Sequence, residues 1–296
     1  MSEGMELSRS IGAVLAEPGG ALLVALVTTD QESFWTSLTP LPDISVPATD
    51  LPSGEIYSVA AWLTSLDRRA DGALFACDAD GHVHTNASGA WAVEPVCPGR
   101  GLMVVRCLAD GSVLAAGTSG VVYRRGEVGW EALGESLGVW LQGLDGASAE
   151  RFVDCGDEGL VATRDEHGWH KTTLEGATSL NAVLATPEGY LVGGRGGALY
   201  RGERDRWVAI PGVQGGGADA GGEPIHVHGL ARGADAIWVA CGAAGAGRID
   251  ADGALRIVWA TFAPTSVHAA GPYAAFGAGR IVARTDGTTW LGRVYG

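Results

Sequence analysis

Histidine is the side chain best suited to moving protons or binding metals near neutral pH, and three of the seven here fall into a pattern. His226 and His228 lie two residues apart in a stretch that alternates like a strand, so both rings should leave the same face about 6.6–7 Å apart. His268 stands at the matching place one repeat later. Imidazole suits zinc, nickel or copper, and Glu55 could add an oxygen ligand. These groups are therefore the metal candidates, and they frame one reading of the chain: a lyase or hydrolase with a histidine as base or metal ligand.

The histidines belong to a larger register. An aliphatic residue, a variable one, a small one and usually an apolar one recur seven times, as Ile11-Gly12-Ala13-Val14, Ile56-Tyr57-Ser58-Val59, Val105-Arg106-Cys107-Leu108, Leu141-Gln142-Gly143-Leu144, Leu180-Asn181-Ala182-Val183, Val227-His228-Gly229-Leu230 and Val267-His268-Ala269-Ala270. The variable residues are different polar or aromatic types at one position, which is what an asymmetric ligand site requires. With Trp140 and His226, each two residues earlier on the same face, they give the expected ligand-binding set: Tyr57, Arg106, Trp140, Gln142, Asn181, His226, His228 and His268. Imidazoles spread around an axis, with Glu55 several repeats away, make a poor metal site. No catalytic residue, metal or cofactor is assigned, and the preferred reading is a non-catalytic binding scaffold.

The elements that carry this register show themselves through a second repeat. Trp91, Trp130, Trp169 and Trp207 are spaced 39, 39 and 38 residues apart, and a glycine stands ten residues before each: Gly81, Gly120, Gly159 and Gly197. Gly245 and Gly279 continue the series. Apolar stretches flank each glycine, so a unit reads strand, glycine turn, strand, turn, tryptophan-bearing strand. Four short strands in about 42 residues, seven times over, predict an all-β fold, a seven-bladed β-propeller of four-stranded antiparallel blades forming a single domain over 1–296. The expected blades are 5–50, 51–97, 98–137, 138–175, 176–214, 222–262 and 263–296. Blade 1 takes its outer strand from Ile44–Ala48, Leu63–Asp71 is an insertion in blade 2, and the last blade either packs on the first without sharing a strand or takes an edge strand from Glu6–Ser8. The tryptophans are expected as wedges between neighbouring blades.

The stretches Leu180–Trp207 and Phe276–Trp290, with Thr285-Asp286-Gly287-Thr288-Thr289-Trp290 at the end, resemble the sialidase-like (BNR or Asp-box) and Ycf48-type photosystem-assembly propellers. The resemblance covers about 56 to 290 and implies a seven-bladed bacterial-type propeller. It does not imply glycoside cleavage, because the Arg-Ile-Pro opening and the arginine triad of sialidases are missing.

Composition narrows the partners. Glycine supplies 47 of 296 residues, hydrophobic residues 46% and charged residues 18%, a mix that excludes a disordered chain. The net charge of −14 makes nucleic acid and anionic membrane poor partners. Ala21–Val27 is too short to span a bilayer and follows Glu17-Pro18-Gly19-Gly20 with no basic leader, so neither a membrane span nor a signal peptide is expected. Five cysteines without a CxxC pair read as thiols of a reducing cytoplasm, with Cys77, Cys155 and Cys241 buried.

The partner expected is a protein; acidic turns at Asp78, Asp80, Asp157 and Glu158 would favour one with a basic segment, and a small ligand is a further option. It should meet a channel mouth framed by Glu94–Gly101 and the loop Pro211–Pro224. Exposed tryptophans among Trp62, Trp140, Trp238 and Trp259 would instead make a carbohydrate-binding propeller. Gly193-Gly194-Arg195-Gly196-Gly197 is no phosphate loop, since no helix follows it. His82 and His84 are expected in blade packing, and His167 and His170 at the surface.

Overall fold

The computed structural model describes residues 7–30, 33–45, 54–210 and 225–295. They form seven antiparallel sheets of four strands each, arranged as a seven-bladed propeller, with no α-helix among the described residues. Every sheet is built from four consecutive strands, and the first strand of each lies nearest the central channel. These inner strands are Ser8–Ala16, Leu63–Arg68, Leu102–Cys107, Leu141–Ser148, Leu180–Thr186, Gly229–Arg232 and Ser266–Ala270.

The repeat glycines have a backbone reason. Gly81, Gly120, Gly159, Gly197, Gly245 and Gly279 all have positive φ, between 51° and 107°, in the turn from the second to the third strand of a blade. At Gly81, Gly120, Gly159 and Gly245 a side chain would also collide with backbone: a Cβ on Gly81 would lie 2.2 Å from the Cys97 carbonyl oxygen. Glycine relieves both constraints at once.

Between blades the core is apolar and continuous around the ring. Leu63, Leu102, Leu141 and Leu180 are fully buried at the start of their inner strands, and Phe75, Phe152 and Phe276 fill the second strands. The repeat tryptophans do act between neighbours. Trp130 packs on the cluster around Phe75, and its indole N–H donates to Glu94 of the preceding blade at 2.9 Å. Trp169 packs among Leu133, Leu137 and Val139 of the preceding blade and meets Phe152 edge-on at 5.3 Å. In blades 6 and 7 the role passes to a cluster of Trp238, Trp259, Phe262, Phe276 and Trp290.

Three expectations need correction. The outer strand of blade 1 is Tyr57–Val59, paired with Phe34–Leu41, so the boundary with blade 2 falls after Val59. Ile44 and Ser45 lie in a turn, and the rest of the expected Ile44–Ala48 strand is outside the described residues. Leu63–Asp71 is no insertion: its first six residues are the inner strand of blade 2, and the rest begins the turn after it. The ring closes by packing blade 7 on blade 1 with no shared strand. Across that seam the Ile11 N–H donates to the Gly279 carbonyl at 2.5 Å and Arg293 reaches the Ile44 carbonyl at 3.0 Å.

Candidate binding site at the channel mouth

In blades 1 to 5 the inner strand slips by one residue against its neighbour, and the residue skipped is Gly12, Thr64, Met103, Gln142 or Asn181. A bulge of this kind leaves one residue outside the ladder and re-aims its side chain. In blades 6 and 7 the same place belongs to His228 and Thr265, whose N–H groups donate to the carbonyls of Ala240 and Gly277 at 2.8 and 2.9 Å. Six of the seven, all but Met103, line one cavity of about 190 Å³ at the channel mouth.

Gln142, Asn181 and His228 thus hold the register predicted for them, on three adjacent blades. Just before their strands stand Trp140, Ser179 and His226. The Trp140 and Ser179 carbonyls accept N–H groups from Asp157 and Arg195, in the turns at this same end. The Trp140 side chain is 54% exposed. His226 accepts the Gly196 N–H on Nδ1 at 3.2 Å, leaving Nε2 as its free ring atom. Its ring centroid lies 6.3 Å from that of His228. Burial, then His226 and Arg195, lower the pKa of His228 and keep it neutral at neutral pH.

Of the other three expected residues, Arg106 and His268 line the same cavity further down, and only Tyr57 lies outside it. Tyr57 is on the outer strand of blade 1, far out along the blade from the mouth. It stacks on Trp91 at 4.0 Å, and its hydroxyl meets Nδ1 of His84 at 2.8 Å. His84 in turn holds Asp78 through Nε2 at 2.9 Å. Burial works to raise the Asp78 pKa, but the hydrogen bonds from His84 and from the His82 N–H outweigh it and lower the value. Asp78 is therefore a buried anchor within blade 2, linked to blade 1 through His84 and Tyr57, and not a rim carboxylate.

Arg106 and His268 lie one tier deeper than the mouth, four residues after the start of the repeat motif rather than one. That tier also contains Asp67 and Asp145. Three of its members do the same work. Asp67, Asp145 and His268 each accept the backbone N–H of the next blade's inner strand, at Cys107, Ala185 and Ala16, over 2.8, 2.8 and 3.0 Å. His268 is thus the clasp between blade 7 and blade 1. Burial, with Arg106 and Arg68, lowers its pKa to about 4. The Arg106 guanidinium stands 3.8 Å from Asp67 and 3.7 Å from Asp145, close enough to pair electrostatically but too far for direct hydrogen bonds. Burial opposes its charge, and Asp145 and Asp67 more than restore it.

Glu55, the oxygen donor considered for a metal, is exposed just before the outer strand of blade 1, away from the histidines. No group of three or more His, Cys, Asp or Glu side chains close enough to share a metal occurs among the described residues. Of the tryptophans considered for sugar binding, Trp62 and Trp140 are exposed at the mouth. Trp238 is 3% exposed and Trp259 half-buried in the blade 6–7 cluster, so neither presents a free ring face. Pro211–Pro224 lies outside the described residues.

Thr64 and Met103 were missed. Their motifs, Leu63-Thr64-Ser65-Leu66 and Leu102-Met103-Val104-Val105, fit the register as well as the ones chosen. In blades 2 to 6 the interval to the repeat glycine separates them: 17 residues from Thr64, Met103, Gln142 and His228 and 16 from Asn181, against 24 from Tyr57 and 14 from Arg106; in blade 7 Thr265 stands 14 residues before Gly279.

No family model and no curated relative matches the sequence. Among solved structures the chain is similar to the crystal structure of the RRP9 WD40 repeats, at a TM-score of 0.62 and 13% identity, over 94% of this chain and 91% of that one. At that identity the likeness shows the propeller fold alone.

Proposed function

We propose that the protein is a non-catalytic binding scaffold that receives a protein partner on the face around the channel mouth. One observation carries the reading: a cluster of exposed apolar side chains on that face. Phe34, at the tip of a long hairpin of blade 1, stacks on Trp62 at 5.2 Å; Trp35, next to it in the strand, and Leu7, just before the inner strand of the blade, are also exposed. Contiguous exposed aromatics on a soluble domain mark interaction surfaces. Asp80 beside Trp62, Asp157 and Glu158 two blades on, and the net charge of −14 favour a partner with a basic segment. The likeness to a WD40-type propeller is in keeping with an interaction role. The free thiols of all five cysteines suit a reducing compartment such as the cytoplasm.

Descent from the sialidase-like and Ycf48-type propellers is part of this proposal. It is supported by the Thr285–Trp290 turn, where Asp286 accepts the N–H groups of Thr288 and Thr289 at 2.9 and 2.7 Å. The lyase or hydrolase alternative loses its constellation, because His268 closes the ring below the mouth.

The test is affinity capture by the immobilised protein compared with its Phe34→Ala and Trp62→Ala variants. A specific partner should be lost from both variants at unchanged melting temperature, and its binding should weaken with salt. Equal capture by the wild type and both variants sinks the proposal.

A further inference from the structure

The cavity runs from the mouth tier down to Arg106 and His268, and the polar groups of its mouth tier are neutral and short of partners. Gln142 makes no side-chain hydrogen bond among the described residues. The Asn181 carbonyl lies 3.1 Å from the Ser179 hydroxyl, whose one proton it shares with the closer Asp157 carboxylate at 2.9 Å. His228 is neutral at neutral pH and makes no ring hydrogen bond among the described residues. Buried groups of this kind are satisfied by water or by a ligand that carries matching donors and acceptors.

Charge chooses the ligand class. An anion descending the channel meets Asp67 and Asp145, and a cation meets Arg106, with Arg195 near His228 above. Asp67 and Asp145 together neutralise Arg106 and leave that lower tier one formal negative charge. What the mouth tier offers is amides, an imidazole and hydroxyls, each able to donate or accept without ionising. A hydroxyl-rich molecule answers that set, because every hydroxyl is both donor and acceptor.

Shape agrees. The volume of about 190 Å³ is that of roughly six waters, enough for a single sugar ring and too little for a folded peptide turn. At the edge, Trp140 has no stacked aromatic partner, and its ring is free to cover the apolar face of a ring bound above Gln142.

We infer that the arc Trp140–Gln142–Asn181–His228 is a binding site for a neutral sugar ring, either a free monosaccharide or the terminal residue of an uncharged glycan. This site lies across blades 4 to 6, away from the Phe34–Trp62 cluster, and does not rest on the protein-partner reading.

The test uses the full chain in two arms: titration calorimetry with neutral monosaccharides, and a glycan array that includes neutral and sialylated chains. The expected result is binding of at least one neutral sugar with a dissociation constant of about 1 mM or tighter. Gln142→Glu, which keeps the volume, and Trp140→Ala should each weaken it by about tenfold or more. Trp62→Ala should leave it unchanged. Binding in the calorimeter assigns the free sugar, and binding on the array alone assigns the chain end. The inference is overturned if no neutral sugar binds in either arm, if sialylated glycans bind better, or if Trp140→Ala and Gln142→Glu bind as the wild type does.

Discussion

Asp154 shows how much one misplaced polar group costs this fold. It is fully buried on the second strand of blade 4, and neither carboxylate oxygen has a partner. The corresponding residues of blades 2 and 3 are Ala76 and Ala115. Burial raises its pKa well above the usual carboxylate value, so the folded protein keeps it protonated where the unfolded chain releases the proton. The unfolded state then binds fewer protons than the native one above about pH 4, and stability falls as pH rises through that window. Asp154→Ala should stabilise the protein at pH 7 by about 1–3 kcal/mol, and the gain should shrink toward pH 4. Thermal melts of the two proteins across pH 4 to 8 measure it. A variant less stable than wild type at pH 7 would mean that an ordered water or a partner holds the carboxyl.

At the scale of the element, the informative pieces are the inner-strand bulge and the outer-strand tryptophan. The tryptophan register was legible because a single large residue recurs at a nearly fixed spacing, and packing between blades tolerates no substitute of different size there. The bulge register was legible only in part. Its aliphatic-variable-small pattern is short, and the same four letters arise by chance on an outer strand (Ile56–Val59) and further down an inner strand (Val105–Leu108). Hence Gln142, Asn181 and His228 were found at the mouth, Arg106 and His268 line the same cavity one tier down, and only Tyr57 falls outside it. The positive-φ glycine narrows the choice in blades 2 to 6, where the mouth residue stands 16 or 17 residues before it. The tryptophan also lends itself to measurement. Trp130 donates to Glu94, which Arg125 also holds through contacts of 2.6 to 3.1 Å. Trp130→Ala should cost about 3 kcal/mol, the lower end for a large aromatic because the side chain is half-buried. In a double-mutant cycle with Glu94→Ala, the coupling should be about 0.5–2 kcal/mol, and additive single effects would show that the wedge acts by packing alone.

For the whole molecule the decisive contact is the seam between blades 7 and 1. Other propellers can lock the ring by sharing strands between first and last blades. Here every blade is made of consecutive strands, so closure depends on side-chain packing and a few hydrogen bonds. The seam is tight: a Cβ on Gly277 would lie 2.8 Å from Cγ2 of Ile11. His268 is its one titratable clasp within the channel, neutral because Arg106 and Arg68 face it and burial disfavours its charge. With the folded pKa near 4 and an unfolded value of about 6.5, the unfolded chain takes up a proton first as pH falls. Stability contributed by the neutral ring is therefore complete above about pH 6.5 and drains away between there and pH 4, by about 3 kcal/mol at most. Below pH 4 the ring nitrogen can no longer accept the Ala16 N–H. His268→Leu places at the seam the residue type that Leu184 already provides in blade 5. It should lower stability at pH 7 by about 1–3 kcal/mol, because the Ala16 N–H loses its acceptor. It should also flatten the decline between pH 6.5 and 4. Hydrogen exchange should locate the change at the seam, with faster exchange of the Ile11 and Ala16 amides in the variant and little difference in blades 3 and 4. An unchanged acid limb with uniform exchange would assign ring closure to the apolar packing of Ile11, Val14 and Ala275 instead.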